Sequence, residues 1–325
     1  ITAILSAVYC GLFATIIQTT AANTITRTIA QTTPFFLLFP IFKFKTKGYL
    51  NFPLFYKKML QATKEILEEA ERLNISSRKE FDRLKSKIAQ KYKLTHSPKL
   101  IHLFLSANKG QREKLSKLLV TKPIRTLSGV APLALFTAPI SCPPQAQCIF
   151  CPGGPNSFFG NVPKSYTGNE PASRRAARNK YDPYLQIFNR LEHYALLNQE
   201  FDKTEVIIMG GTFPSLPKLY KDKFMTQVYQ ALNDFSEMFF QDGDFNFEKF
   251  KEFFELPTDD LNDKNRTERI HEKLLKLKKE STLEFEKKKN ETTKIKCIAL
   301  VIETRPDCGL LNEGNEMLYY GATRV

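Results

Sequence analysis

The sequence predicts an α/β fold, a parallel sheet wound either as a barrel or as an open sheet, behind a basic helical region. Three observations carry that prediction. Short apolar runs bounded by glycine or proline, "GVAPLALFTAP", "TEVIIMGG" and "KCIALVIETRP", alternate with segments of helical periodicity, the chain pattern of a parallel sheet. The formal charge of +14 is confined to one stretch: residues 43–125 hold 21 Lys and Arg against 7 Asp and Glu, and residues 1–42 add only Arg27. Three of the six cysteines, Cys142, Cys148 and Cys151, fall together directly after the first expected strand.

Taken in order, residues 1–42 form an apolar leader, uncharged as far as Thr26 and ending in "PFFLLFPIF". It lacks a positive n-region, and its Thr-rich middle breaks the apolar run short of a membrane-spanning length, so it reads as translated upstream sequence or an imprecise gene start, with a membrane anchor as the second reading, and no membrane partner is expected. Residues 43–125 form the basic helical region. In "KKMLQATKEILEEAERL", Met59, Ile66, Ala70 and Leu73 recur at helix-face spacing, and "SRKE" at 77–80 has the pattern of a capping box opening a second helix with Phe81, Leu84, Ile88 and Tyr92 on one face. A third basic stretch, "NKGQREKLSKLLVTKPIRT", leads into the first strand. Such a concentration of cations is the electrostatic footprint of a polyanion, most naturally a nucleic acid, or else a solubilising helical face.

Residues 126–325 form the α/β domain. "EPASRRAARNKYDPYLQIFNRLEHYALL" is helical with a proline interruption, "PKLYKDKFMTQVYQAL" is helical, and "LNEGNEMLYYGATRV" is a short helix turning at Gly321 toward a further strand. Residues 238–295, rich in Phe and Lys, are an insertion, expected as an elaborated surface loop with a helix of its own.

The cysteine loop, "CPPQAQCIFCPGGP", spaces three thiols as C-x5-C-x2-C. In a long Lys-rich chain this points to metal binding or catalysis in a reducing compartment, hence the cytoplasm, rather than to a disulfide framework. Two metal centres suit it: zinc completed by Cys297, Cys308 or a histidine, or an iron-sulfur cluster with one iron left open.

Four blocks add a resemblance. "CIFCPGGP", "KSYTGNEPASRRAARNKYDPYLQ", "DKTEVIIMGGTFPSLP" and "CIALVIETRPD" resemble consecutive parts of the radical S-adenosylmethionine domain of the Elongator catalytic subunit and its archaeal relatives, the tRNA uridine carboxymethylation enzymes. The resemblance implies a partial radical S-adenosylmethionine (βα) barrel behind a tRNA-binding region. It implies that Cys142, Cys148 and Cys151 hold a [4Fe-4S] cluster whose open iron chelates S-adenosylmethionine, with Gly210, Gly211, Thr212, Glu303 and Arg305 around that cofactor. It associates Lys203 with acetyl-CoA, and it makes Lys85, Lys87, Lys91 and Lys93 candidates for tRNA phosphates. The implied reaction is radical synthesis of 5-carboxymethyluridine at the wobble position of tRNA, with acetyl-CoA as co-substrate.

Relative to that family, the rest of the barrel and the acetyltransferase-like domain are not in this sequence. The chain is therefore expected to be inactive alone and to need them from a separate chain. A zinc-stabilised RNA-binding module and a different radical S-adenosylmethionine enzyme are the alternative readings.

Overall fold

The computed structural model describes residues 52–143, 148–258 and 260–325. The apolar leader and the cations Lys43, Lys45 and Lys47 lie outside the described residues. Residues Leu54–Val325 make one compact unit. Among the described residues no helix is long and apolar enough to cross a membrane.

The basic region is helical as expected. Helix α1 (Phe52–Arg72) and α2 (Arg78–Lys91) are followed by the short helices α3 (Leu100–Ser106), α4 (Lys109–Lys114) and α5 (Ser116–Leu119). In α1 the buried stripe is Ala62, Ile66, Leu67 and Ala70, whereas Leu73 is exposed, so the face is turned slightly from the one the spacing suggested. In α2, Phe81 and Ile88 are buried and Leu84 and Tyr92 pack partly buried against the core. Helix α2 does begin after Ser77, but the Ser77 side chain makes no cap hydrogen bond, which corrects the capping-box reading. Its first turn is instead anchored by tertiary contact, the Arg78 Nη1 donating to the carbonyl of Leu118 at 2.9 Å.

The sheet has three parallel strands, β1 (Ala131–Phe136), β2 (Lys203–Met209) and β5 (Lys296–Ile302), in the order β1-β2-β5. They succeed one another in chain order without a reversal. Ala131 faces Thr204 and Phe136 faces Met209 across the first pair; in the second, the register slips between Thr204 and Glu205 and then runs from Ala299 to Ile302. Between β1 and β2 lie α6 (Pro171–Arg178) and α7 (Pro183–Leu196), and β2 leads into the long helix α8 (Lys218–Phe239).

Among the described residues strand β1 is an edge, and side chains close it. The Tyr194 hydroxyl donates to the Pro132 carbonyl at 2.8 Å, Arg175 reaches the Ala134 carbonyl, and the Gln186 amide satisfies both the N–H and the C=O of Phe136 at 2.9 Å. Pro132 has no N–H to leave unpaired, a residue suited to an edge. On the far side of the sheet, Arg324 makes a parallel bridge to Val301 after helix α12 (Leu311–Tyr320).

Residues 238–295 are not a surface loop, contrary to expectation. They fold as the hairpin β3 (Phe240–Gln241) and β4 (Asp244–Phe245) with helices α9 (Phe247–Phe253), α10 (Lys264–Leu277) and α11 (Leu283–Asn290). The reason is the phenylalanines: Phe250 and Phe254 are buried against Phe235 and Phe239 of α8, with Phe239 and Phe250 edge to face at 5.6 Å, and Phe247 is buried against Phe104 of α3. Each such pair contributes about 0.5–1.5 kcal/mol beyond its buried area. A buried ion pair, Arg266 to Glu192 at 2.5 Å, fastens α10 to α7.

Candidate functional site

Parallel strands deliver their following loops to the same end of the sheet, and the three principal strands do so here. Sheet pairing runs just past the strand ends, since Thr137 N–H donates to Met209 O and Glu303 N–H to Ile208 O, both at 3.0 Å. Beyond those residues the chain opens into a pocket lined by Cys142, Cys148 and Cys151 after β1, Gly211 and Thr212 after β2, and Glu303 and Arg305 after β5. Segments far apart in sequence thus meet at the carboxyl end of the sheet, where sites on such folds gather.

Each sulfur meets a polar group. Cys142 Sγ lies 3.4 Å from the Thr212 hydroxyl, Cys148 Sγ receives Arg305 Nη1 at 2.6 Å, and Cys151 Sγ receives the Ser165 N–H at 3.3 Å. Arg305 is held in place by Asp307, which accepts from Nε and Nη2 at 2.9 and 3.0 Å. This hydrogen bonding, the largest cause, pushes the guanidinium further above its already high range. A fixed cation therefore stands against one of the three sulfurs.

The loop after the cysteines is packed too tightly for substitution at Gly153. A Cβ there would stand 1.7 Å from the Tyr166 carbonyl oxygen. Gly211 has φ +120°, a conformation L side chains rarely adopt, and a Cβ on it would press on Lys164 at 3.2 Å. These contacts bring Lys164, Ser165 and Tyr166 onto the pocket wall beside the thiols.

Tyr166 donates to Glu303 Oε2 at 3.1 Å, and its ring stands edge-on to Phe136 at 4.6 Å. Burial, reinforced by the Glu303 charge, pushes the phenol well above its ordinary range, so Tyr166 stays a hydrogen-bond donor. Among the described residues no group of three or more Cys, His, Asp or Glu is arranged to hold a single metal ion. The sulfurs are instead distributed around one cavity.

Comparison with known proteins shows what the chain is similar to. Residues 59–127 match the model of the ELP3 N-terminal domain. A tRNA uridine(34) acetyltransferase of Methanocaldococcus infernus is 35% identical over 270 residues, 83% of this chain and 42% of that protein. Elongator complex protein 3 of Drosophila melanogaster is 34% identical over 249 residues, 75% of this chain and 37% of that protein. Over this amino-terminal part, the chain is similar to Elongator complex protein 3 and to the tRNA uridine(34) acetyltransferases. It spans about two fifths of the length of the relatives it matches. A solved structure of archaeal Methanocaldococcus infernus Elp3 with N-terminus deletion (1-46) is 27% identical, with a TM-score of 0.36 over 61% of this chain and 28% of that one.

Of the residues singled out in the sequence, the three cysteines, Gly211, Thr212, Glu303 and Arg305 come together in the pocket. Gly210 sits just behind it, its carbonyl already accepting from the Thr137 hydroxyl at 3.0 Å. Lys203 opens β2 and is exposed at the opposite end of the sheet, in a groove with Lys294 and Lys296. Six residues of strand put it about 20 Å from the thiol end.

The four candidate tRNA lysines are in different situations. Lys85 pairs with Asp82 at 3.4 Å and Lys91 with Glu65 at 2.7 Å, whereas Lys93 is exposed just beyond α2. Lys87 lines an open groove with Lys79, Arg83 and Arg78. Sequence reasoning did not single out Lys164, Ser165 and Tyr166 as pocket residues, although they begin the quoted block "KSYTGNEP". Nothing in that block marks which side chains face the thiols.

Proposed function

We propose that this chain carries the radical S-adenosylmethionine part of an enzyme that modifies the wobble uridine of tRNA, on a partial barrel wall formed by its three parallel strands. The observation that carries the reading is the meeting of three thiols from one strand end with Gly211, Thr212, Glu303 and Arg305 from the other two. The donor set fits a cluster with three protein ligands: the sulfurs share a single cavity, each has a polar partner, and no histidine lines the wall. Cys142, Cys148 and Cys151 would hold a [4Fe-4S] cluster. When bound, cluster and S-adenosylmethionine supply one-electron cleavage of the sulfonium to a 5′-deoxyadenosyl radical.

The chain's own residues supply the setting. Ser165 N–H and Arg305 donate to sulfur, contacts that would tune any cluster held there. The Tyr166 hydroxyl fixes Glu303 on the pocket rim, where a carboxylate can take a hydrogen bond from the ribose or amino group of S-adenosylmethionine. Lys164 adds a cation to the wall, complementary to a carboxylate.

The archaeal relatives act, by name, on tRNA uridine 34, and the basic helices offer the matching surface. Lys79, Arg83 and Lys87 follow one another along α2 at four-residue spacing, on one face, and line its groove. Such a row suits phosphates rather than base edges. Acetyl-CoA as co-substrate, contact with it through Lys203, and completion of the enzyme by further protein belong to the same proposal.

The test is anaerobic reconstitution with iron and sulfide. The wild-type chain should become brown, bleach with dithionite and bind iron, Cys142→Ala should lose most of that iron, and Cys297→Ala should keep it. Stoichiometric zinc without iron, or iron unaffected by Cys142→Ala, would refute the cluster.

A further inference from the structure

A second concentration of positive charge, whose arginines line neither the thiol pocket nor the α2 groove, follows the edge of β1. Arg175 and Arg178 stand three apart on α6, and Arg190 lies on α7. Arg175 Nη2 reaches the Ala134 carbonyl at 3.4 Å. The Arg190 guanidinium stacks 4.2 Å from the Tyr194 ring centre and donates to the Tyr194 hydroxyl, which in turn holds the Pro132 carbonyl. Two residues of strand place those carbonyls about 7 Å apart. The turn Pro123–Thr126, bearing the exposed Arg125, packs against the same strand.

Among the described residues no carboxylate balances these charges. Every arginine ion pair there involves other arginines: Arg72, Arg78, Arg112, Arg266, Arg269, Arg305 and Arg324. The Arg190 Nε is buried without a hydrogen-bond partner. Burial, with Arg190 and Arg178 nearby, pushes the Arg175 guanidinium down to about 10, which leaves it charged at neutral pH. His193, pushed down to about 4 chiefly by burial and further by the same arginines, is neutral there and adds no charge. Half-buried, mutually repelling cations held rigidly by backbone carbonyls and an aromatic face are costly without a counter-charge.

We propose that Arg125, Arg175, Arg178 and Arg190 form a phosphate-binding site along the edge of β1. Arg175 and Arg190, fixed by the strand, are its floor, and the exposed Arg125 and Arg178 close on the outer oxygens. Planar guanidinium forks match phosphate oxygens bidentately, which separates this site from the lysine-bearing face of α2. The phosphate is either part of an RNA backbone or part of a free phosphorylated small molecule. The site does not depend on the proposed radical chemistry and would stand if no cluster formed.

The test uses the full chain and two probes, inorganic pyrophosphate by calorimetry and a fluorescein-labelled RNA hairpin by anisotropy. The variant is Arg125→Gln with Arg178→Gln; neither side chain makes a hydrogen bond within the described residues, so the fold, checked by thermal melting, should be intact. Removing two charge-assisted hydrogen-bonding groups should weaken pyrophosphate binding by about tenfold or more. A parallel loss of hairpin affinity supports the site and makes the RNA backbone its ligand; an unchanged hairpin affinity supports it for a free phosphorylated molecule. Three results overturn the site: no pyrophosphate binding by the wild type, equal binding by the variant, or an equal loss in a Lys79→Gln, Lys87→Gln control.

Discussion

Replacing Arg266 by Met tests whether segment 238–295 is fastened to the α/β body as the structure shows. The Arg266 and Glu192 side chains are 5% and 4% exposed, and the guanidinium also donates to the carbonyls of Phe254 at 3.0 Å and Leu261 at 3.1 Å. Removing one partner of a buried pair costs about 3–5 kcal/mol because the other charge is left in a poor dielectric. The freed carbonyls would add about 1–3 kcal/mol each if water could not reach them. A net loss of about 4 kcal/mol is expected, a large share of the stability of a domain of ordinary 5–15 kcal/mol.

The pH dependence has a definite sign. Burial holds the Glu192 carboxyl above its usual range against the pull of Arg266, and losing Arg266 raises it further. A raised folded value costs nothing while both states are protonated. The cost appears as pH climbs past the unfolded value near 4.5, where the unfolded chain ionises first. The Arg266→Met deficit should therefore be larger at pH 7 than near pH 5, measured by urea unfolding at both. The double variant Arg266→Met, Glu192→Leu should lose much less than the two single variants together. A deficit below about 1 kcal/mol, with no pH dependence, would show that the pair is not buried as described.

Gly153→Ala should displace the loop at Tyr166 and lower iron retention on reconstitution, since no shift of a flexible side chain relieves a 1.7 Å approach to backbone; iron content against protein concentration measures it. Cys297, whose thiol burial pushes up to about 12, should resist iodoacetamide in the native chain at pH 8 and react after unfolding, read by peptide mass spectrometry. The combined Lys79→Gln, Arg83→Gln, Lys87→Gln variant should weaken tRNA binding and reduce its salt dependence by about one unit of slope for each phosphate no longer neutralised. Lys91→Gln alone should change that slope little, because Lys91 is already engaged by Glu65; filter binding at several salt concentrations compares the two.

Local pattern was enough for the elements that repeat a simple period. The runs "PLALF", "VIIM" and "IALVI" are strands because their apolar, largely β-branched or aliphatic stretches end at glycine, threonine or proline, and the alternation with helices made them parallel. The thiol loop was legible for the same reason, since cysteine spacing is a property of the chain.

Contacts between distant segments were not legible. Phe250 and Phe254 look like surface decoration until Phe235 and Phe239 are set against them, because burial is a property of two faces and the sequence displays one at a time. The same holds for charge. Composition marked residues 43–125 as basic, yet only the folded chain tells Lys87, open in a groove, from Lys91, neutralised by a glutamate twenty-six positions away. Arg125, Arg175 and Arg190 belong to no shared motif and are brought to one edge by β1 itself. Tertiary structure decides such sites because electrostatic energy depends on separation in space, which the order of residues along a chain does not contain.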